Sequence, residues 1–183
     1  MRVQHIIHLD IDRGVLHTWH DGSYMPVASY SPGSSEPSAL LSFLRQNSSG
    51  TIGIIVDVLE EEHSQDRIAR LRQRDQKAVL ERKLARTFPR TEFSTATLQG
   101  RSTDNTQDKD VLFSALTKPD HVRTLVEQLA AAKLPVAWVC SPALLSLPVV
   151  DKLQSKTGQH AATALLVTRD LEGRLRLAFF RNR

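Results

Sequence analysis

Hydrophobic and polar residues alternate at the start of the chain, with the period of two expected of a half-buried β-strand. Within residues 3–12, Ile7, Leu9 and Ile11 alternate with the polar residues His8, Asp10 and Asp12. Two more β-type segments follow at residues 15–20 and 24–30, and the Asp21-Gly22 pair between them is a strong hairpin signal. The pattern predicts a meander of three antiparallel strands.

A helix and a buried strand are predicted next. Residues 36–46 carry an apolar stripe at helical spacing, with Ser35 as N-cap and Pro37 in the first turn. Residues 51–59 are almost continuously apolar and β-branched, which is typical of an interior strand covered on both faces. The first sixty residues therefore predict the order βββαβ.

The middle of the chain is more highly charged than the residues before it. Residues 64–88 are highly charged and strongly basic, and they predict a helical stretch with a break near Gln73 to Asp75. Strands are then predicted at 93–100 and 110–117, a helix at 119–133 and a strand at 134–140, which is the order ββαβ. The helix is amphipathic, and its predicted inward stripe is Val122, Leu125, Val126 and Leu129.

The last part predicts a turn and a short helix from Ser141, then a hairpin. The hairpin strands are residues 161–168 and 174–180, joined through an acidic turn that contains Gly173. We divide the chain into 1–62, a basic helical segment 63–92, a ββαβ subdomain 93–140, and a linker helix with hairpin 141–183. The open edge of the last strand predicts either a truncated chain or pairing with another chain, including self-association.

Composition narrows the class of protein. The 183 residues are 40% hydrophobic and 24% charged, which is a globular rather than a disordered composition. The formal net charge of +4 gives only a mild attraction to anions. The one cysteine, Cys140, lies in an apolar run and fits a reducing compartment. No apolar run approaches the ~20 residues of a membrane span, and no secretory signal pattern opens the chain.

The layout resembles that of one actin-like group, which contains the type IV pilus assembly protein M and the cytoplasmic domain of the type II secretion protein L. The residues that carry the resemblance are 6–12, 54–57, the helix and strand of 122–136, and the closing stretch 164–180. The resemblance implies an α/β fold with an RNase H/actin-like lobe (βββαβ), an inserted ββαβ subdomain and the start of a second lobe. It also implies a cytoplasmic location, peripheral at the inner membrane.

The resemblance also implies a place for nucleotide. Members that bind nucleotide carry an Asp-x-Gly-Ser/Thr turn after the first strand, whose amides and hydroxyl hold phosphate. Here Asp10, Asp12 and Gly14 occupy that region, and Val15 stands where the hydroxyl residue belongs. If ATP and Mg²⁺ bind, these three residues are expected to hold them, through water and backbone amides. The incomplete turn fits better the members of the group that are scaffolds without nucleotide.

An alternative function is a Mg²⁺-dependent nuclease of the RNase H-like class. Asp10 lies on the first predicted strand, Asp57 lies near the end of the neighbouring one and Glu60 follows it, and carboxylates on adjacent strands hold Mg²⁺ for phosphodiester cleavage. The structural alternative is that these acids lie at strand ends and at a helix N-terminus, where negative charge is favourable anyway. The sequence leaves both interpretations open.

The basic segment offers a second candidate surface. Arg67, Arg70, Arg74 and Lys77 are candidates to contact an acidic protein partner or another anion, whereas the alternative is a solvated face. The scarcity of aromatic residues disfavours nucleic acid as the partner. No histidine spacing typical of a zinc site and no serine-nucleophile motif is present. The leading hypothesis is a non-enzymatic cytoplasmic scaffold of a bacterial secretion or pilus-type machine, acting through protein contacts and with a vestigial nucleotide cleft as an open option.

Overall fold

The fold is described from a computed structural model. The described residues are 3–32, 38–47, 50–58, 60–101, 108–158, 163–170 and 173–181. They form two units, one from residues 1–58 and 121–183 and the other from residues 59–120. The predicted N-cap Ser35 and first-turn Pro37 lie outside the described residues.

The first unit is built on a mixed five-stranded sheet with the order β3-β2-β1-β4-β8. Its strands are β1 (Val3–Leu9), β2 (Gly14–His20), β3 (Ser23–Tyr30), β4 (Thr51–Val56) and β8 (Val136–Cys140). β1, β2 and β3 form the predicted antiparallel meander, whereas β4 lies parallel to both β1 and β8. At the β2–β3 turn, Asp21 and Gly22 have φ values of 45° and 94°, the left-handed pair that a tight hairpin requires.

β4 is the centre of the core, as its apolar sequence predicts. Ile52, Ile54 and Val56 are at most 1% exposed, and Gly53 is buried between Ile52 and Ile54. A Cβ atom on Gly53 would lie 2.3 Å from Cζ2 of Trp138 on β8, so the indole ring occupies the space of the missing side chain. Glycine is therefore required at this position for close packing within the sheet.

Three helices belong to the same unit: α1 (Ser38–Asn47), α3 (Asp120–Ala131) and α4 (Pro142–Thr157). The inward stripe of α3 is the predicted one, since Val122, Leu125 and Leu129 are buried. At the start of α4 the hydroxyl oxygen of Ser141 accepts a hydrogen bond from the Leu144 amide at 3.3 Å. The sequence predicts only a short helix here, whereas α4 has 16 residues and continues through Pro148.

The closing hairpin consists of β9 (Thr163–Arg169) and β10 (Leu175–Arg181), paired antiparallel. Val167 is opposite Leu177, and Leu165 is opposite Phe179. Among the described residues these two strands form a sheet of their own. The predicted hairpin is therefore present, although part of its turn, Leu171 and Glu172, lies outside the described residues.

The second unit is a three-stranded antiparallel sheet with one helix. Its elements are β5 (Glu61–Ala69), α2 (Gln73–Thr87), β6 (Ser94–Arg101) and β7 (Asp108–Leu116), and the sheet order is β5-β7-β6. Ile68, Val111 and Phe113 are at most 3% exposed and form its core, against which the apolar side of α2 packs. The second unit thus has a hydrophobic core of its own.

The structure corrects one sequence-based prediction in this region. The predicted helix from residue 64 is wrong for its first part, because residues 61–69 are β5 and the helix begins at Gln73. Nine pairs with β7 hold this charged strand, and Ile68 is its one buried residue. The predicted elements ββαβ of residues 93–140 do follow in that chain order. However, β6 and β7 pair with each other and with β5, whereas β8 pairs with β4.

None of the described helices is both long enough and apolar enough to cross a membrane.

Candidate functional site

The candidate site lies at the carboxyl ends of two neighbouring parallel strands. Asp10 directly follows β1 and Asp57 directly follows β4, and the strands are in register there, with Leu9 opposite Val56. The Asp57 amide donates to the Leu9 carbonyl oxygen at 2.7 Å, which extends the strand pairing by one residue. The sheet therefore brings the first two acids of the predicted nuclease set next to one another.

Both carboxylates are buried, which is unusual for aspartate. Asp10 is 2% exposed and Asp57 is 5% exposed. One oxygen of Asp10, Oδ1, accepts a hydrogen bond from the Ile11 amide at 2.7 Å, and the Asp10 amide donates to the Arg13 carbonyl at 2.8 Å. These bonds fix the orientation of Asp10 in the turn between β1 and β2. Charges buried in this way must be paired, because an unpaired buried charge is costly.

Arg174 supplies the partner of Asp10. Its Nη2 atom donates to both carboxylate oxygens, at 2.9 Å to Oδ1 and 2.8 Å to Oδ2. The same guanidinium donates through Nε to Oδ2 of Asp170 at 2.5 Å, and the Arg174 amide donates to the other Asp170 oxygen at 2.7 Å. Pairing with Asp170, and then with Asp10, raises the pKa of Arg174 above its ordinary value. Arg174 is thus held between two carboxylates.

Arg176 supplies the partner of Asp57. Its Nη2 atom donates to Oδ1 of Asp57, and Nε2 of His8 lies 3.4 Å from the other oxygen. The His8 hydrogen bond and the Arg176 guanidinium together lower the pKa of Asp57, against the effect of burial. Asp57 is therefore a carboxylate whose charged form is stabilised in the folded protein.

The two arginines flank one residue, Leu175, at the start of β10. Because side chains alternate across a strand, Arg174 and Arg176 project to the same side of the hairpin. Each reaches one acid at the end of one central strand. The Asp10–Arg174 and Asp57–Arg176 ion pairs, which we call the hairpin anchor, therefore attach the closing hairpin to the carboxyl ends of β1 and β4.

A Mg²⁺-phosphate group does not fit these residues as they are placed. Magnesium requires carboxylate oxygens that are available for coordination, whereas both oxygens of Asp10 and one of Asp57 are bonded to guanidinium groups. Asp12, the second candidate for phosphate contact, is exposed in the turn after β1. Among the described residues, no group of three or more metal-ligating side chains comes together.

Gly14 has a packing role that the sequence did not reveal. A Cβ atom at this position would lie 2.1 Å from Cε1 of Tyr30 on β3, so the tyrosine ring covers the glycine. Burial of that ring raises the pKa of the Tyr30 hydroxyl. Contact with Tyr30 accounts for glycine at position 14 without any phosphate.

The third predicted nuclease residue, Glu60, belongs to the second unit. Its carboxylate lies 3.9 Å from Nζ of Lys118, and its backbone carbonyl accepts a hydrogen bond from the Thr117 amide at 2.8 Å. Both contacts are made within that unit. Glu60 therefore has a structural role at the start of β5, and its catalytic role stays a prediction.

The basic candidates also lie in the second unit, on β5, on α2 and in the link between them. Arg67, on β5, lies 3.4 Å through Nε from Asp110, and Lys77, on α2, lies 3.8 Å from Glu81. Arg70 and Arg74 are exposed near the start of α2. The acidic neighbours of Arg67 and Lys77 therefore weaken the positive electrostatic potential that these two of the four residues present to a partner. Their contact with an acidic partner stays a prediction.

Sequence reasoning found the acids of the site and missed the arginines. The available signal was the Arg174-Leu175-Arg176 pattern, in which two charged residues share one face of a predicted strand with Ala178 and Phe180. Charged residues on the inward face of a strand indicate buried acidic partners. Which acids these would be could not be read from the pattern.

Comparison with known proteins gives a match at the level of structure alone. Neither a scan of protein-family models nor a search of curated protein sequences gives a match. The PilM–PilN type IV pilus biogenesis complex contains a chain that superposes with a TM-score of 0.65 at 13% identity over 100% of this chain. The present chain therefore has the fold of that matched chain, and it spans 59% of the matched chain's length.

Two further solved structures are similar at lower scores. The cytoplasmic domain of EpsL, an inner membrane component of the Vibrio cholerae type II secretion system, gives a TM-score of 0.49 at 10% identity, over 95% of this chain and 70% of that one. A Bacteroides thetaiotaomicron protein with an actin-like ATPase fold gives 0.42 at 12% identity, over 97% of this chain and 66% of that one. These two likenesses carry no argument. The match to the chain of the PilM–PilN complex confirms the predicted α/β fold and its resemblance to the pilus assembly group at the level of the fold.

Proposed function

We propose that the protein is a non-enzymatic assembly protein of a bacterial pilus- or secretion-type machine, and that it works through protein contacts without nucleotide. The observation that carries this proposal is the pairing of Asp10 with Arg174 and of Asp57 with Arg176. In an actin-like fold these strand ends face the nucleotide cleft. Here their acids anchor a structural hairpin instead.

The comparison supports the class of machine. The chain shares its fold with a protein whose solved complex contains PilM and PilN of type IV pilus biogenesis. A cytoplasmic location, peripheral at the inner membrane, is a further part of the proposal. The partner that we propose is accordingly a PilN-type protein of the same organism. Self-association through the closing hairpin is a further part of the proposal.

Binding to that partner tests the proposal. The chain is immobilised, and its affinity for the PilN-type protein is measured by biolayer interferometry with and without Mg²⁺·ATP. We expect saturable binding with the same dissociation constant in both conditions. Binding that requires nucleotide would contradict the proposal, and so would an absence of binding.

Asp10→Asn separates this function from the nuclease alternative. The substitution removes the charge that two-metal cleavage would need, but it keeps the shape and one oxygen acceptor of the side chain. We expect partner binding to persist in the folded variant. Mg²⁺-dependent cleavage of RNA or DNA by the wild-type chain, lost in Asp10→Asn, would instead establish the nuclease.

A further inference from the structure

The closing hairpin presents an apolar face that the first unit leaves exposed. The members of this face, which we call the hairpin face, are Leu165 (60% exposed), Val167 (51%), Leu175 (71%), Leu177 (66%) and Phe179 (65%). The register of β9 and β10 places Val167 opposite Leu177 and Leu165 opposite Phe179. These residues alternate with the half-buried ones along both strands, so they lie on one side of the hairpin.

The hairpin cannot turn this face inward without losing its anchor. Arg176 lies between Leu175 and Leu177 and therefore points to the opposite side, where it binds the buried Asp57. Arg174 binds the buried Asp10 from the same side. The two ion pairs thus fix the orientation in which the apolar residues face away from the sheet of β1 and β4.

The size of the hairpin face suits a second copy of the chain. The exposed fractions correspond to an apolar area on the order of 600 Å² per copy, at the upper end for the largest patch of a typical monomer. Two copies related by a twofold axis would bury roughly 1,200 Å² in total, above the ~1,000 Å² expected of a specific interface. Such an axis places the same residues on both sides, so the five apolar side chains of one copy can pack against those of the other.

A pair of hairpins would also remedy the weakness of a two-stranded sheet. Within the part of the chain that the structure describes, β9 and β10 pair only with each other. An isolated two-stranded hairpin is marginally stable in water, and sheets gain stability by packing face to face at about 10 Å. At the turn end, Nε of Arg169 donates to the Gly173 carbonyl at 3.2 Å, so the guanidinium is bonded within its own hairpin.

From these observations we infer that the protein forms a twofold homodimer in which the hairpin faces of two copies pack against each other. The inference rests on the self-association part of the proposed function and makes it specific, since the contact is the face of the hairpin and not its edge. It is independent of the partner and nucleotide experiment above, because its readout is the mass of the purified chain alone.

Sedimentation equilibrium between about 1 and 100 µM tests the inference. We expect the wild-type chain to approach twice its 20.5 kDa mass with rising concentration. The double variant Leu177→Asp/Phe179→Asp should remain monomeric over this range and keep the wild-type circular dichroism spectrum, because both side chains are largely exposed in one copy. Leu165→Ser, a smaller change on the same face, should weaken the dimer at least tenfold.

Met25→Asp is the matched control, because Met25 is a 52% exposed apolar residue on β3 of the same unit. This variant should dimerise like the wild type. A wild-type chain that stays monomeric at 100 µM would overturn the inference. A dimer that survives Leu177→Asp/Phe179→Asp, or that Met25→Asp disrupts, would also overturn it, because the contact would then lie elsewhere.

Discussion

Replacing Arg176 with methionine tests whether the hairpin anchor stabilises the first unit. Methionine keeps an unbranched apolar stem in place of the arginine stem, which is 26% exposed, and removes the guanidinium. The substitution leaves the Asp57 carboxylate, 5% exposed, with His8 at 3.4 Å as its remaining side-chain partner. A hydrogen bond to a charged group contributes about 1.5–3 kcal/mol, so we expect a loss of about 2 kcal/mol in the free energy of unfolding.

Urea unfolding at pH 7, followed by tryptophan fluorescence, measures this loss. Both tryptophans, Trp19 and Trp138, lie in the first unit, so the signal reports on the unit that contains the anchor. The same loss should lower the melting temperature by about 4–8 °C for a protein of this size. Arg13→Met is the matched control, because Arg13 is exposed in the turn next to Asp10, and its change should stay within about 0.5 kcal/mol.

The pH dependence gives a second test of the same anchor. The folded protein lowers the pKa of Asp57 from its ordinary value of 3.8, so the charged carboxylate contributes stability above that value. This contribution is lost as the pH falls through the lowered pKa. The difference in the free energy of unfolding between wild type and Arg176→Met should therefore stay constant from pH 7 to about 4 and become smaller below pH 4. A loss below about 0.5 kcal/mol at pH 7, or one that stays constant to pH 3, would refute the reasoning.

Two packing substitutions test the two units separately. Gly53→Ala places a Cβ atom 2.3 Å from the Trp138 ring and should cost about 2 kcal/mol, measured by the same urea titration, because the buried ring must move; an unchanged midpoint would contradict this. Phe113→Ala empties the core of the second unit and should cost about 3–5 kcal/mol. Hydrogen exchange should then accelerate in residues 60–120 and remain slow in β1 and β4, whereas equal acceleration in both units would contradict the separate cores.

Local patterns in the sequence predict most elements of the first unit. The alternation over β1, the Asp21-Gly22 turn and the apolar run of β4 each specify one structure by themselves, and α3 buries its predicted stripe. β5 could not be predicted in this way. Its charged residues are common in helices, and its strand conformation depends on pairing with β7, about fifty residues away along the chain.

In the candidate site, likewise, the acids could be predicted from local sequence, whereas their distant arginine partners could not. Asp10 and Asp57 were predicted because each directly follows an apolar strand, which is visible in the sequence. Their partners lie 164 and 119 residues away along the chain, and no local pattern joins an arginine to one particular acid. The packing role of Gly14 could not be predicted locally either, because the Tyr30 ring that covers this glycine comes from β3.

The most direct test of the account is isothermal titration of the wild-type chain with Mg²⁺·ATP, with a nucleotide-binding protein of the actin fold as the positive control. Because Arg174 and Arg176 bind Asp10 and Asp57, we predict no saturable heat up to millimolar nucleotide. Saturable binding of about one ATP per chain, abolished by Asp10→Asn, would contradict the account, because these acids would then hold a Mg²⁺-nucleotide.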